Sequence, residues 1–427
     1  MSNNYLARDR KNIWHPFTPL EGAGEPLLIA SGKGAKLITN DGREIIDAIA
    51  SWWVNIHGHA NQDIAAAIAD QAATLEQVIF AGFTHEPALR LAEDLLKLLP
   101  SQSKAFFSDD GSTAVEVGLK MAIQYWHNSG QNKTKILALE GAYHGDTFGA
   151  MSVGHRGAFT TPFSPYLFDV SFIDLPNKAN WEEVKSRFKK ELASNEVATF
   201  IFEPLVQGAA GMRMYEAEYL DEMISMAKSH GVICIADEIM TGFGRTGRLF
   251  ASQFLQNHPD IFCLSKGLTG GTLPLSITTC TEEIQAAYRT TDIYKTFFHG
   301  HSFTANPITC AAANASLKIL LSEVCQQQIQ RLVDSHQEQR LRWKGHKSIK
   351  AIRQKGTILA LELVTPEETS YFNRSRNSIY SFFLDRDILL RPLGNVIYLI
   401  PPYVITDAEL QVVYKTIDEF LELWPEV

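Results

Sequence analysis

The sequence lacks what export or membrane insertion would need. The opening stretch MSNNYLARDRKNIWHPF carries no apolar core segment, and no run approaches the ~20 apolar residues of a membrane span. Secretion and membrane association are therefore not expected, and a cytoplasmic location is. Cysteine is scarce: Cys234, Cys263, Cys280, Cys310 and Cys325 are scattered, odd in number and set mostly inside apolar runs. Such spacing excludes a disulfide framework and reads as reduced core thiols. No CxxC pair, HExxH helix or His/Cys cluster offers a metal site, so no metal is expected. An excess of positive charge is missing too. The formal net charge is −9, which gives no field to attract a phosphate backbone, and nucleic acid is not an expected partner. The one basic concentration, from Arg340 to Lys355, has neither regular spacing nor interleaved aromatics and reads as a solvated face.

What is present is an ordinary globular composition, 45% hydrophobic and 20% charged, over 427 residues, which is more than one usual core. Two domains, or one large domain with an appendage, are expected. No internal repeat or low-complexity tract divides the chain. The organising stretch is 232–267. Residues 232–236 are β-branched and apolar and run into Asp237; residues 261–264 run into Ser265-Lys266-Gly267. In an open α/β sheet, ligands bind outside the carboxyl ends of the strands, so Asp237 and Lys266 are expected to face one pocket. An acid and an amine so placed suit a pyridine cofactor, the amine condensing with its aldehyde and the acid holding a proton on its ring nitrogen. Taken singly, each residue is more often a solvated loop residue or a cap; it is their company that points to a site.

The rest of the chain supports an alternation of strands and helices, and with it a largely parallel sheet. Residues 35–38 and 44–46 flank the hairpin signal Asn40-Asp41-Gly42. Trp52-Trp53 reads as core, interface or a flat pocket wall. Helical spacing covers 61–99. A strand at 104–108 leads through Asp109-Asp110-Gly111-Ser112 into a buried helix at 113–126, so Gly111 and Ser112 sit where backbone N–H groups favour a phosphate. A strand at 135–139 ends in Glu140-Gly-Ala-Tyr143-His144-Gly-Asp146. The Pro-rich region 155–180 reads as a surface excursion. Helices at 181–194 and 217–230 flank a strand at 198–202 that ends at Glu203. After Lys266 come a strand at 275–279, a helix at 308–321, a polar connector helix near 323–344 and a closing α+β unit over 345–427.

The ordered set GSTAVEV, GAYHGDTFGAMS, FEPLVQGAAGM, ADEIMTGFGRTG, SKGLTGG and HGHSFTANP resembles the class III, fold type I pyridoxal-phosphate aminotransferases. More narrowly, IWHPFTPL, SWWVNIHGH, QYW, QGAAGMRMY and RPLGNVIYLIPPY resemble the branch of that family that works in biotin synthesis. The likeness covers nearly the whole chain apart from 155–195 and 340–375. It implies an α/β fold with a mostly parallel seven-stranded sheet in a large domain, 51–321. A smaller α+β domain would be made from both termini, 1–50 and 322–427. It also implies pyridoxal 5'-phosphate as cofactor, small-molecule substrates and a homodimer with shared active sites.

Carried over by match, Lys266 is the Schiff-base lysine and Asp237 the partner of the pyridinium nitrogen. Tyr143 stacks on one ring face and Ile239 packs on the other. Gly111 and Ser112 cradle the phosphate, and Gly300, His301 and Ser302 reach it from the second subunit. Trp52, Trp53 and Tyr398 are expected to line an apolar channel for a long keto acid, with Arg391 binding its terminal carboxylate bidentately. Asp146 is expected to orient the substrate amine. Two positions depart from the family pattern. Phe17 stands in the HPYT segment where a tyrosine is usual, and His301 replaces the proline of GPTF. The resemblance implies S-adenosyl-L-methionine as amino donor; Phe17 keeps a ring for stacking on adenine but loses a phenol, which puts that donor in question and makes lysine the alternative. Other readings are an aminotransferase of ω-amino acids or diamines, and a pyridoxal-phosphate mutase or epimerase. A serine hydrolase would need Gly-x-Ser-x-Gly, whereas Gly300-His301-Ser302 is followed by Phe303-Thr304.

Overall fold

The computed structural model describes residues 4–424. Its central sheet has seven strands: β1 (Lys104–Ser108), β2 (Lys135–Leu139), β3 (Ser171–Ile173), β4 (Val197–Phe202), β5 (Ile233–Asp237), β6 (Ile261–Leu264) and β7 (Ser276–Cys280). Their spatial order is β1-β7-β6-β5-β4-β2-β3. Only β7 runs against the others, pairing antiparallel with β6 and with β1.

The central strands are apolar along their whole length because both faces are covered. Successive side chains go to opposite sides. Ile235, Ile261 and Cys263 pack with Ala114, Val115 and Ala122 of α1 (Gly111–Asn128). Cys234, Ala236, Phe262 and Leu264 belong to the opposite layer, which holds Leu220, Met223 and Ile224 of the helix Ala217–Ser229. All five cysteines are buried free thiols.

Two smaller sheets complete the chain. Strands Ile29–Lys33, Lys36–Thr39 and Glu44–Asp47 form an antiparallel group, and Ile388–Leu389 adds to its edge in parallel with Glu44–Asp47. Segments more than 300 residues apart in sequence thus share one sheet, clasped further by Arg43 bonding Asp387 and the Leu384 carbonyl. The other sheet is Ile349–Lys355, Ile358–Leu363 and Val396–Leu399.

Three expectations need correction. Helical spacing over 61–99 resolves into two helices, Gln62–Thr74 and Glu86–Leu98, separated by an irregular stretch. Within 155–180 lies β3, a three-residue edge strand too short to give a periodic signal. The basic stretch ending at Lys355 is no plain solvated face: Ile349–Lys355 is a half-buried strand, and Arg353 bonds Glu362 at 2.6 Å and the carbonyl of Gly211 at 2.9 Å. Among the described residues no single helix is long and apolar enough to cross a membrane.

Candidate active site

The carboxyl ends of β5 and β6 lie side by side, Asp237 being in register with Cys263. Asp237 is buried, and a buried carboxylate must be satisfied by donors. Its Oδ1 accepts the Ile239 N–H at 3.1 Å, and its Oδ2 lies 2.7 Å from Nδ1 of the fully buried His144. Next to them, the Glu203 carboxyl at the end of β4 accepts the N–H groups of Tyr143 and Gly208, each at 3.0 Å. Burial pushes Glu203 up to about 7; His144 opposes the shift and the nearby charge of Asp237 reinforces it.

Lys266 follows β6 in a left-handed conformation, φ 48°, its amine 5.1 Å from the Trp53 ring. Desolvation there holds the amine below its ordinary pKa, against the pull of Asp237 and Glu203. A lysine whose amine gives up its proton more readily is the better nucleophile and base, and the Asp237 carboxylate lies at the neighbouring strand end.

A third strand end, that of β1, supplies an anion cradle. Asp110 caps α1 by accepting the Thr113 N–H, with the Thr113 hydroxyl 3.0 Å from the Asp110 N–H in return. The N–H groups of Gly111 and Ser112 find no acceptor among the described residues. Ser112 Oγ accepts the Asp146 N–H at 3.1 Å, which leaves its own proton to donate. The chain passes so close that a Cβ on Gly145, φ 133°, would overlap the Ser112 hydroxyl. Ile239 packs against this turn, 3.0 Å from where a Cβ on Gly111 would lie. Two open N–H groups and a hydroxyl at a helix start, with an amine and a carboxylate at adjacent strand ends, match the donor set that a phosphorylated pyridine aldehyde requires.

Above this floor opens a cleft of about 1050 Å³ lined by Lys266, Tyr143, Asp146, Trp52, Trp53 and Phe17, among others. Burial, then Asp146, raise the Tyr143 phenol, so it stays protonated as a donor. The tryptophans sit on a loop in which Ala50, Ser51 and Trp53 all have positive φ, a costly arrangement that the surroundings must enforce. Asp47 supplies the brace: it accepts the N–H groups of Ile49 and Ser51 and contacts His59 Nε2 at 2.9 Å. From behind, the buried Arg245 bonds the Pro401 carbonyl at 2.8 Å and reaches the Trp53 carbonyl at 3.4 Å.

Not every expected residue lies on the cleft. Tyr398 is buried behind Trp53, and its hydroxyl accepts the indole N–H at 2.9 Å, so it sets the wall without forming it. Arg391 lies 5.2 Å from the Trp52 ring and makes no ion pair or side-chain hydrogen bond among the described residues. The segment holding Gly300, His301 and Ser302 stays outside the cleft of its own chain. Gln77 bonds the Ser302 carbonyl, and His301 Nε2 is 3.9 Å from Asp109. The stretch 155–160, expected as a surface excursion, lines the cleft. His144, Glu203, Asp47 and Arg245 join the site without being expected from the sequence. Strand-end position could have flagged the first two; nothing local marks the others. Among the described residues no group of three or more His, Cys, Asp or Glu side chains is placed to hold a metal.

Comparison with known proteins agrees with this geometry. The family model "Aminotransferase class-III" matches residues 21–421. The chain is 50% identical to the adenosylmethionine-8-amino-7-oxononanoate aminotransferase of Synechococcus elongatus, over 96% of this chain and 98% of that one. Among solved structures it is similar to the enzyme of the same name from Methanocaldococcus jannaschii, with a TM-score of 0.92 and 33% identity over 98% of this chain and 99% of the other. A pyridoxal-phosphate-bound amine transaminase from an uncultivated Pseudomonas species aligns with a TM-score of 0.88 at 30% identity, over 95% and 97%.

Proposed function

This chain belongs to the class-III aminotransferase family, a pyridoxal-phosphate-dependent group, and from that premise we propose that it converts 8-amino-7-oxononanoate to 7,8-diaminononanoate in biotin biosynthesis, with S-adenosyl-L-methionine as amino donor. The observation that carries the choice of substrate is an apolar cleft with an arginine beside it, Arg391, that makes no ion pair among the described residues. The cleft runs from Lys266 along Trp52 and Trp53, and Arg391 stands by Trp52 without a carboxylate of its own. A keto acid with a long alkyl chain and a terminal carboxylate needs those two features.

When bound, pyridoxal phosphate supplies an aldehyde that condenses with amines and a ring that accepts the electron pair released at the donor carbon. The chain's residues do the rest. The N–H groups of Gly111 and Ser112 and the Ser112 hydroxyl would hold the phosphate. Asp237, braced by His144 and the Ile239 N–H, would hold a proton on the ring nitrogen, and Tyr143 and Ile239 would pack against the ring. The Lys266 Nζ would be the amine that anchors the aldehyde and the base that takes the proton at the donor carbon. Asp146 orients the substrate amine, and Arg391 clamps the far carboxylate. Two half-reactions on one site give ping-pong kinetics.

The active unit is a cytoplasmic homodimer, the segment Gly300–Ser302 of each copy completing the phosphate site of the other. That assignment agrees with the segment's place outside its own cleft. The large domain is taken as 51–321, with 1–50 and 322–427 forming the smaller one.

The donor assignment meets a counter-observation in Phe17, which has no hydroxyl for a donor carboxylate or amine, and lysine is the second reading. Purified protein is mixed separately with S-adenosyl-L-methionine, L-lysine and 7,8-diaminononanoate while the yellow absorbance of bound cofactor is followed. Bleaching by the diamine and S-adenosyl-L-methionine is expected. Bleaching by the diamine and lysine alone would change the donor. Failure of the diamine, with other ω-amines active, would remove the biotin assignment.

A further inference from the structure

One wall of the cleft is built of rings brought from four separate parts of the chain. Phe17 meets Trp52 at 5.6 Å between centroids and Phe159 at 6.0 Å. Phe159 in turn meets Tyr371 at 4.9 Å and Phe372 at 5.0 Å. All five residues line the cleft. Phe159, Tyr371 and Phe372 come from 155–195 and 340–375, the two regions outside the motifs by which the family is recognised. The structure brings these two regions together on the substrate cleft.

The rings are not spent on the core. Phe159 is 45% exposed and Phe372 58% exposed, a contiguous apolar surface that water covers poorly. Tyr371 is held in place, its hydroxyl accepting from Arg376 at 3.1 Å and its ring lying 4.7 Å from that guanidinium. A wall of edges and faces suits two chemistries: a planar heteroaromatic ring, by stacking, and a positive charge with little hydration, by attraction to the π faces. An alkyl keto acid offers neither, and a primary alkylammonium offers only a strongly hydrated charge.

Taking the donor assignment above as given, we propose that Phe159, Tyr371 and Phe372, with Phe17 and Trp52, form the subsite that recognises the adenosyl sulfonium end of the amino donor. The purine stacks on the rings and the sulfonium sits against their π faces. Donor selection is thereby placed on residues that the reaction chemistry does not use, and the loss of a phenol at Phe17 is matched by rings supplied from elsewhere.

The test uses full-length holoenzyme and the variants Phe159→Ala, Phe159→Leu and Phe372→Ala. Half-reaction rates are measured with S-adenosyl-L-methionine and with 7,8-diaminononanoate, and selectivity is the ratio of the two kcat/KM values. Removing a stacking ring should lower that ratio by about tenfold. Phe159→Leu, which keeps apolar bulk, should lose nearly as much as the alanine variant. A second readout is binding to protein carrying pyridoxamine phosphate, which does not react with amines. There S-adenosyl-L-methionine should bind more tightly than its uncharged analogue S-adenosyl-L-homocysteine, and the variants should shrink the difference. An unchanged ratio in both Phe159 variants and in Phe372→Ala overturns the proposal while the donor assignment stands. So does an equal fall with both substrates. Wild-type protein that reacts with the diamine but neither binds nor reacts with S-adenosyl-L-methionine overturns the donor assignment and the subsite together.

Discussion

His144 Nδ1 lies 2.7 Å from Asp237 Oδ2 in a fully buried contact, and His144 Nε2 has no partner among the described residues. The imidazole therefore acts on Asp237 alone among its hydrogen-bonding neighbours. Replacing it by alanine leaves the buried carboxylate with one N–H donor. Hydrogen bonds to charged groups are worth about 1.5–3 kcal/mol, so His144→Ala should slow the half-reaction with the diamine by about 10- to 100-fold. Stopped-flow absorbance would measure it. A rate within twofold of wild type would mean that Asp237 needs no second donor.

Tyr398 and Trp53 make a simpler case. Tyr398→Phe keeps the ring and removes the only acceptor, among the described residues, of the buried indole N–H, 2.9 Å away. Stability should fall by about 1–3 kcal/mol in a urea melt, and KM for the keto acid should rise because Trp53 is freed to tilt. A variant equal to wild type in both would show that packing alone fixes the tryptophan.

At Gly145 the constraint is steric. A methyl group at φ 133° would collide with the Ser112 hydroxyl, so Gly145→Ala must push that hydroxyl and the Asp146 N–H apart. Cofactor affinity should fall by at least about tenfold, or ~1.4 kcal/mol, in a pyridoxal-phosphate titration of stripped protein. Unaltered affinity would take Ser112 out of the phosphate cradle.

Glu203 gives a pH-dependence with a definite sign. Its carboxyl titrates at about 7 in the folded chain, above its ordinary 4.5. Between those values the folded state keeps a proton that the unfolded chain has released, so stability is highest on the acid side and drains away as pH rises through the window. The loss is up to ~3 kcal/mol. Glu203→Gln cannot titrate, and in cofactor-free protein its melting temperature should fall less than that of wild type between about pH 4.5 and 7. Parallel curves would assign the slope to another group.

The placement of Asp237 and Lys266 at the ends of two neighbouring strands was legible in the sequence. Two short apolar runs each ended in one polar side chain, and the rule that strand ends face the ligand needs no coordinates. The turn at 109–112 leading into α1 was legible for the same reason, since turns are set by residues a few positions apart, although the helix begins at Gly111, two residues before the expected start. That the five cysteines are buried thiols followed from their placement mostly inside apolar runs. Local signals end where pairing partners are distant. Nothing near Asp47 says that its carboxylate holds a strained loop, because the loop's other supports, Arg245 and the segment 400–401, are far away in sequence. Tyr398 looked like a wall residue until packing put Trp53 in front of it. Phe159 and Phe372, 213 positions apart in the chain, were unremarkable in two irregular stretches. Whether an aromatic side chain is core, wall or surface depends on what the rest of the chain leaves uncovered, and only the tertiary structure decides that.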